Sequence, residues 1–182
     1  MSQVFVSGHK SPDTDSIAAA LSYSYLKRRL GMDAVAVRAG EINKESRFAL
    51  DYFNLEEPML VTSVARKNPE DEKQKVILVD HNESKQTIDG MDDAEVLEII
   101  DHHRFGDFES ENPIFILVRP VGCVNTVIYG LYKANHIKPS REIAGIMLSA
   151  IISDTVLFRS PTTTEEDKET AKELAEIAGV DY

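Results

Sequence analysis

The sequence has 182 residues, 42% of them hydrophobic, which is enough to bury one sizeable core in a single domain. Its 31 acidic and 20 basic residues give a net charge of −11, which argues against an extended contact with nucleic-acid phosphates. Because no stretch reaches the roughly 18 apolar residues of a bilayer span, and the single cysteine, Cys123, cannot form an internal disulfide, we predict a cytoplasmic protein that binds no membrane.

Apolar periodicity predicts alternating strands and helices along the chain. The runs at 76–79 and 96–100 are continuously apolar, as in strands buried on both faces of a parallel sheet. Thr163 and Glu166 have the spacing of a capping box for the last helix. In chain order, the predicted elements are a strand at 4–6, a helix over 17–30, a strand at 34–37, a helix over 44–52, a charged surface loop at 66–75, strands at 76–79, 96–100 and 114–118, helices over 124–132 and 143–152, and a last helix closed by Gly179.

Clusters of Asp and His follow three of these strands. They are His-Lys-Ser-Pro-Asp-Thr-Asp-Ser at 9–16, Asp-His-Asn-Glu at 80–83 and Asp-His-His-Arg at 101–104, and a fourth cluster, Ser-Asp-Thr, lies at 153–155. Ligand sites in open α/β sheets lie beyond the carboxyl ends of the strands. The sequence therefore predicts that the clusters after the strands share one edge of the sheet.

Each cluster also has an ordinary structural interpretation. Asp15 or Ser16 can simply cap the first helix while His9 lies on the surface. Asp-His-Asn at 80–82 is common turn chemistry, and Asp154 can be a polar helix end. However, four of the five histidines lie in these clusters, and random scatter would not concentrate them in this way. We therefore favour a site that binds divalent cations through imidazole and carboxylate groups.

The adjacent histidines His102 and His103 have distinct predicted roles. Neighbouring side chains point in different directions, so one imidazole can bind a metal while the other faces substrate as a proton donor. Asp101 can fix the tautomer of an imidazole by hydrogen bonding to it without itself binding the metal. The alternative is a surface histidine pair without a chemical role.

In order and approximate spacing, the four clusters resemble those of the DHH phosphoesterase superfamily. Pro-Asp-Thr-Asp-Ser at 12–16 and Asp-His-Asn-Glu at 80–83 resemble family II, the manganese-dependent inorganic pyrophosphatases. The resemblance implies an α/β fold with a doubly wound, mainly parallel sheet flanked by helices, and a homodimer. It also implies a hydrolase that splits pyrophosphate, delivered with Mg²⁺, into two phosphates by a water activated by two Mn²⁺ per subunit, with Co²⁺ or Mg²⁺ as substitutes.

The resemblance also assigns residues to roles. It implies one metal ion bound by His9, Asp13, Asp80 and Asp154. It implies a second metal ion bound by Asp15, Asp80, His102 and Asp154. His103 is then the proton donor to the leaving phosphate. The segment Pro-Val-Gly-Cys at 120–123 matches a family stretch whose backbone amides could face phosphate, although Val-Asn at 124–125 departs from the Thr-Ala of the commoner members.

The resembling enzymes have a C-terminal domain whose Lys and Arg side chains close over the substrate. We interpret residues 1–182 as the DHH metal-binding catalytic domain without this substrate-clamping domain, and we expect weak or no hydrolysis by the chain alone. Two alternatives remain open. One is another DHH phosphoesterase, an exopolyphosphatase or an oligonucleotide phosphodiesterase, and the other is a non-catalytic metal-binding dimerisation module.

Overall fold

The computed structural model describes residues 3–182, and within them six parallel strands form one sheet with five helices beside it. None of the helices in this part of the chain combines the length and apolar character that a bilayer crossing requires. In chain order the elements are β1 (Val4–Ser7), α1 (Thr14–Arg29), β2 (Ala34–Arg38), α2 (Lys44–Tyr52), β3 (Met59–Leu60), β4 (Lys75–Val79), β5 (Glu95–Asp101), β6 (Phe115–Val118), α3 (Val124–Ala134), α4 (Arg141–Asp154) and α5 (Glu165–Ala178).

The strand order, β3-β2-β1-β4-β5-β6, creates a crevice beside β1. From β1 the chain first builds outward through β2 and β3, and it then returns to add β4 on the other side of β1. Val4 is consequently aligned with Ala34 on one neighbour and with Lys75 on the other. The switch point between β1 and β4 leaves a crevice at the carboxyl ends of these strands, where open α/β sheets bind their ligands.

The two faces of the sheet are covered differently. The larger core joins strand residues such as Val6 and Ile77 to the buried sides of the helices, for example Ile17 and Ile146. The smaller core on the other face is closed by irregular segments and two short 3-10 turns at Ser84–Gln86 and Met91–Asp93. In the described chain, the crossovers from β4 to β5 and from β5 to β6 contain no α-helix. The loops that follow β4 and β5 instead contain the polar motifs at 80–83 and 101–104.

The predicted α/β fold with a parallel, helix-flanked sheet is confirmed, but two details differ. The two-residue strand β3 was not predicted, because so short a run has no detectable alternation. The predicted capping box was placed one residue too early. Thr164 and Asp167 form it, since an Asp at this position reaches back to the N-cap N–H at 2.7 Å. Glu166 instead accepts hydrogen bonds from Arg119.

Candidate metal centre

The predicted ligands come together at the crevice between β1 and β4. They reach it from the loop after β1 and the start of α1, from the first residues after β4 and β5, and from the end of α4. Ligand atoms of Asp15, Cys123 and Asp154 all lie within 4.8 Å of one another, which brings the end of α4 to the same place. The six predicted ligands at this crevice are His9, Asp13, Asp15, Asp80, His102 and Asp154.

The start of α1 positions the first cluster. Asp13 is the N-cap, and its Oδ1 accepts a hydrogen bond from the N–H of Ser16 at 3.0 Å. Ser16 Oγ in turn accepts from the N–H of His9 at 2.9 Å. A Cβ atom on Gly8 would lie 1.8 Å from Ser16 Oγ, so this close approach requires glycine. Asp15 is fully buried and does not cap the helix, so the interpretation of Asp15 as a simple cap is wrong.

Asp80 links two groups of side chains. Its Oδ2 lies 3.4 Å from His9 Nε2, and its Oδ1 lies 3.3 Å from His102 Nε2. His9 Nε2 is also 3.6 Å from Asp13 Oδ1, and His102 Nε2 is 3.7 Å from Asp15 Oδ2. The backbone of Asp80 has a φ of 64°, in the left-handed region that Asp adopts more readily than most residues. One buried carboxylate therefore faces an imidazole with each of its two oxygens.

The side chains fit divalent cations. Both carboxylate oxygens of Asp80 are buried without a hydrogen-bond partner, whereas most buried polar atoms have one. Two ligand atoms that each lie about 2.1 Å from one cation are about 3.0–3.6 Å apart at ligand angles of about 90–120°, close to the separations around Asp80. Mixed imidazole and carboxylate ligands suit Mn²⁺ and similar ions.

Burial and mutual repulsion perturb the titration of this cluster. Burial and the charge of Asp15 raise the pKa of Asp154 to about 12, and the same two causes raise the pKa of Asp80. Burial alone would lower the pKa of His9, but hydrogen bonding and charge from Asp13 and Asp80 raise it to about 10. The excess negative charge of the cluster thus favours bound protons, and divalent cations would supply the same neutralisation.

His102 and His103 contact different partners, in agreement with their predicted divergence. His102 donates from Nδ1 to the carbonyl of Val121 at 3.0 Å, which leaves Nε2 directed toward Asp80. His103 is half exposed, and its Nδ1 lies 2.9 Å from Asp101 Oδ1. The hydrogen bond that Asp101 accepts from His103 raises the pKa of His103. Asp101 is fully buried, so it can orient the His103 ring as the sequence predicted.

A comparison with protein families decides which family this arrangement belongs to. The profile described as "DHH family, N-terminal domain" matches residues 3–151, which include the first three motifs and most of α4. The chain belongs to the DHH family. The matched residues include the Asp-His-His sequence that begins at Asp101 at the end of β5.

Relatives of this DHH domain carry a common name. The domain is 53% identical over 181 residues to a protein of Exiguobacterium sp. and 55% identical over 181 residues to a protein of Bacillus licheniformis. Both are named "Probable manganese-dependent inorganic pyrophosphatase". Each match covers 100% of this chain and 57% of the relative, so the chain spans little more than half the length of these relatives.

Solved structures share the DHH fold. A Methanococcus jannaschii protein assigned to the family II inorganic pyrophosphatases matches with a TM-score of 0.88 and 42% identity, over 99% of this chain and 58% of that chain. An exopolyphosphatase-related protein of Bacteroides fragilis matches with a TM-score of 0.69 and 18% identity, over 98% of this chain and 53% of that chain. At this identity the second match shows the fold alone.

Asn82 anchors the loop that follows the DHH sequence, a role that sequence reasoning missed. Its Nδ2 donates to Asp101 Oδ2 at 2.5 Å and to the carbonyl of Arg104 at 3.1 Å, and its Oδ1 accepts from the N–H of Gly106. Asn82 therefore ties the loop after β4 to the loop after β5. Its place beside Asp80 and His81 in the second motif was the available signal.

The turn before α3 and the first residues of α3 direct their amides to Asp15 and Asp167 instead of presenting them to phosphate. The N–H of Gly122 donates to Asp167 Oδ2 at 2.9 Å, and the N–H of Val124 donates to Asp15 Oδ2 at 2.8 Å. The N–H of Asn125 also donates to Asp15. The prediction that the amides of this turn face phosphate is therefore wrong for these three groups, because buried carboxylates already occupy the helix N-terminus.

Basic residues beside the DHH motifs are already paired. Lys10 Nζ lies 2.5 Å from Asp89 Oδ1, and Arg104 Nη2 lies 3.1 Å from Glu83 Oε1. His81 is buried, burial lowers its pKa to about 4, and its Nδ1 lies 2.9 Å from a backbone carbonyl of β4, so its imidazole is neutral. The positive charges of Lys10 and Arg104 are therefore each opposed by a carboxylate.

Proposed function

We propose that this domain is the metal-binding catalytic domain of a manganese-dependent inorganic pyrophosphatase, which hydrolyses pyrophosphate to two phosphates. One observation carries the proposal: the buried carboxylate of Asp80 offers one oxygen to the His9 group and the other to the His102 group. A shared carboxylate suits two cations held close together, as in two-metal sites for phosphoryl transfer. The names of the relatives at 53% and 55% identity support pyrophosphate as the substrate.

The proposed ligands form two sets that share two carboxylates. The first set is His9, Asp13, Asp80 and Asp154, and the second is Asp15, Asp80, His102 and Asp154. When bound, the two cations supply a nucleophilic water at neutral pH and neutralise charge on phosphate oxygens. We propose two Mn²⁺ per subunit, with Co²⁺ or Mg²⁺ as substitutes, because imidazole and carboxylate ligands together suit such ions better than Ca²⁺. Pyrophosphate would arrive with Mg²⁺.

His103 is the proposed proton donor to the leaving phosphate. Its side chain is half exposed beside Asp80, so a molecule in the crevice can reach it. Asp101 engages Nδ1, which leaves Nε2 for proton donation. Because Asp101 raises the pKa of His103, the imidazolium form persists to a higher pH than in an ordinary histidine.

A substrate panel tests the proposed activity. We expect the Mn²⁺-loaded protein to hydrolyse pyrophosphate faster than long-chain polyphosphate or a dinucleotide, with phosphate or nucleotide release as the measurement. A preference for polyphosphate would indicate an exopolyphosphatase, and a preference for the dinucleotide would indicate a phosphodiesterase. No cleavage of any of the three by protein that has bound Mn²⁺ would indicate a non-catalytic module.

Replacing Asp80 by Asn is expected to abolish the stabilisation of the chain by Mn²⁺. When the free Mn²⁺ concentration is about 100 times the dissociation constant, binding at one site raises the free energy of unfolding of the wild-type chain by about 2.7 kcal/mol. Asp80→Asn keeps the side-chain volume but removes the charge shared by both sets of ligands. Asn also adopts the left-handed backbone of position 80, where φ is 64°, so the variant is expected to fold.

The measurement is thermal unfolding with and without Mn²⁺. Asp89→Asn is the matched control, since it removes an exposed carboxylate paired with Lys10 and should leave the Mn²⁺ shift unchanged. An Asp80→Asn chain that keeps the full Mn²⁺ shift would contradict the proposed role of Asp80.

Assembly and location are part of the proposal. A homodimer is supported by β6, the last strand of the sheet, whose Phe115 and Ile116 are 50% and 41% exposed. Apolar edge strands of this kind are usually covered in native proteins.

A cytoplasmic location is supported by the single free cysteine, which is buried. The net charge of −11 supports a function without nucleic acid.

A further inference from the structure

Asp15 is held by more hydrogen-bond donors than the other proposed ligands. Its Oδ1 accepts from Cys123 Sγ at 2.9 Å, from Asn125 Nδ2 at 2.6 Å and from the N–H of Asn125 at 3.3 Å. Its Oδ2 accepts from the N–H of Val124 at 2.8 Å and lies 3.7 Å from His102 Nε2. All four of these donors come from the first residues of α3 and its N-cap.

The two oxygens of Asp15 therefore differ in what they can still bind. A carboxylate oxygen has two lone pairs, and three donors already surround Oδ1. Oδ2 has one donor and faces His102 across the crevice. This arrangement leaves Oδ2 as the atom available to a cation and prevents Asp15 from binding one with both oxygens.

The side chain of Asn125 makes the strongest of the three contacts to Oδ1, since the thiol of Cys123 is a weak donor and the N–H of Asn125 is 3.3 Å away. This side chain is fully buried, and its Nδ2 donates both to Asp15 Oδ1 and to the backbone carbonyl of Asp15, at 2.6 and 3.2 Å. Its Oδ1 accepts from Ser22 Oγ at 2.9 Å, which fixes the orientation of the amide. The amide of Asn125 is thus clamped between Ser22 and Asp15 with its donors toward the carboxylate.

We propose that Asn125 is a positioning residue that restricts Asp15 to single-oxygen coordination of the second cation and so favours Mn²⁺ over Ca²⁺. The inference rests on the proposed two-cation site. Ca²⁺ takes six to eight oxygens and often binds carboxylates with both of theirs, whereas smaller cations prefer about six ligands in octahedral geometry. Groups that orient metal ligands in this way typically contribute about 10- to 100-fold to metal affinity.

Mn²⁺ titration of the 182-residue chain, followed by calorimetry and electron paramagnetic resonance, tests the proposal. We expect the wild type to bind two Mn²⁺ ions and Asn125→Ala to bind the second one about 10- to 100-fold more weakly, with the first unchanged. Competition with Ca²⁺ should show a smaller preference for Mn²⁺ at the weakened site. In the wild type, two neighbouring Mn²⁺ ions should give the resonance signal of a magnetically coupled pair. In Asn125→Ala, this signal should be absent at Mn²⁺ concentrations that saturate the wild type.

Ser22→Ala is the matched control. It removes the buried contact on the far side of the Asn125 amide but leaves both donors to Asp15. A role in packing alone predicts that both variants lower thermal stability and neither changes Mn²⁺ affinity. That outcome, or equal losses of affinity in both variants, would overturn the inference. If Asn125→Ala does not fold, Asn125→Leu carries the same expectation, because it fills the volume without donating a hydrogen bond.

The titration also separates this inference from the proposed function. A wild-type chain that binds fewer than two Mn²⁺ ions would overturn the two-cation site and the role of Asn125 together. A wild type that binds two ions, with an Asn125→Ala variant of unchanged affinity and selectivity, would overturn the role of Asn125 alone.

Discussion

The 182-residue chain should hydrolyse pyrophosphate at least about 100-fold more slowly than a full-length relative, although it binds the same metals. The proposed site has four carboxylate ligands, whose charge cancels that of two divalent cations. A nucleophilic hydroxide and a polyanionic pyrophosphate then need further positive charge. Lys10 and Arg104, the basic residues beside the motifs, are each paired with a carboxylate. Electrostatic clamping of the phosphoryl group is commonly the largest contribution to such catalysis.

Steady-state phosphate release by the Mn²⁺-loaded chain provides the measurement. The full-length protein of Bacillus licheniformis, 55% identical over this domain, is a suitable comparator under the same conditions. Mn²⁺ binding by the chain must be verified in the same preparation, so that a slow rate reflects missing cationic contacts to substrate and not a missing metal. A rate equal to that of the full-length relative would contradict the prediction, because it would show that residues 1–182 alone supply enough positive charge to bind and hydrolyse pyrophosphate.

Much of the fold could be predicted because its strands are short apolar runs that end abruptly in polar clusters. The runs at 76–79 and 96–100 correspond to β4 and β5, and their parallel pairing follows from burial on both faces. The predicted elements include no helix between the strands at 76–79, 96–100 and 114–118, as the structure has it, but periodicity could not reveal how those connecting segments cover the sheet. Those segments cover the smaller core through single residues such as Ile88, which produce no repeating pattern.

The ligands could be predicted more completely than the groups that position them. Each proposed ligand belongs to a local motif in which Asp or His follows a strand, begins a helix or, for Asp154, ends one. Asn125 and Asp167 belong to no such motif, because their partners lie far away in the sequence. Asn125 contacts Asp15 across 110 residues, and Asp167 contacts Gly122 across 45. Such contacts arise only after α3 has packed against α1 and α5, so they are properties of the tertiary structure.

Replacing His103 by Gln should lower kcat by about 10²- to 10⁴-fold with little change in KM, because a general acid acts in the transition state and not in substrate binding. Gln keeps a polar group of similar reach but cannot transfer a proton. His136→Gln is the matched control, since His136 is exposed and lies outside the motifs, and it should retain full activity. A His103→Gln variant with wild-type kcat would exclude His103 as the proton donor.

Asp101→Asn should then move the alkaline fall of kcat to lower pH. The hydrogen bond and charge of Asp101 raise the pKa of His103, so the donor stays protonated to a higher pH than an ordinary histidine. Replacement by Asn removes that charge and lowers the pKa of His103, and the protonated donor is lost earlier as the pH rises. A pH–rate profile measures the shift. An alkaline limb at the wild-type position would mean that another group carries the proton, since His103 lies 2.9 Å from Asp101 and must respond to its charge.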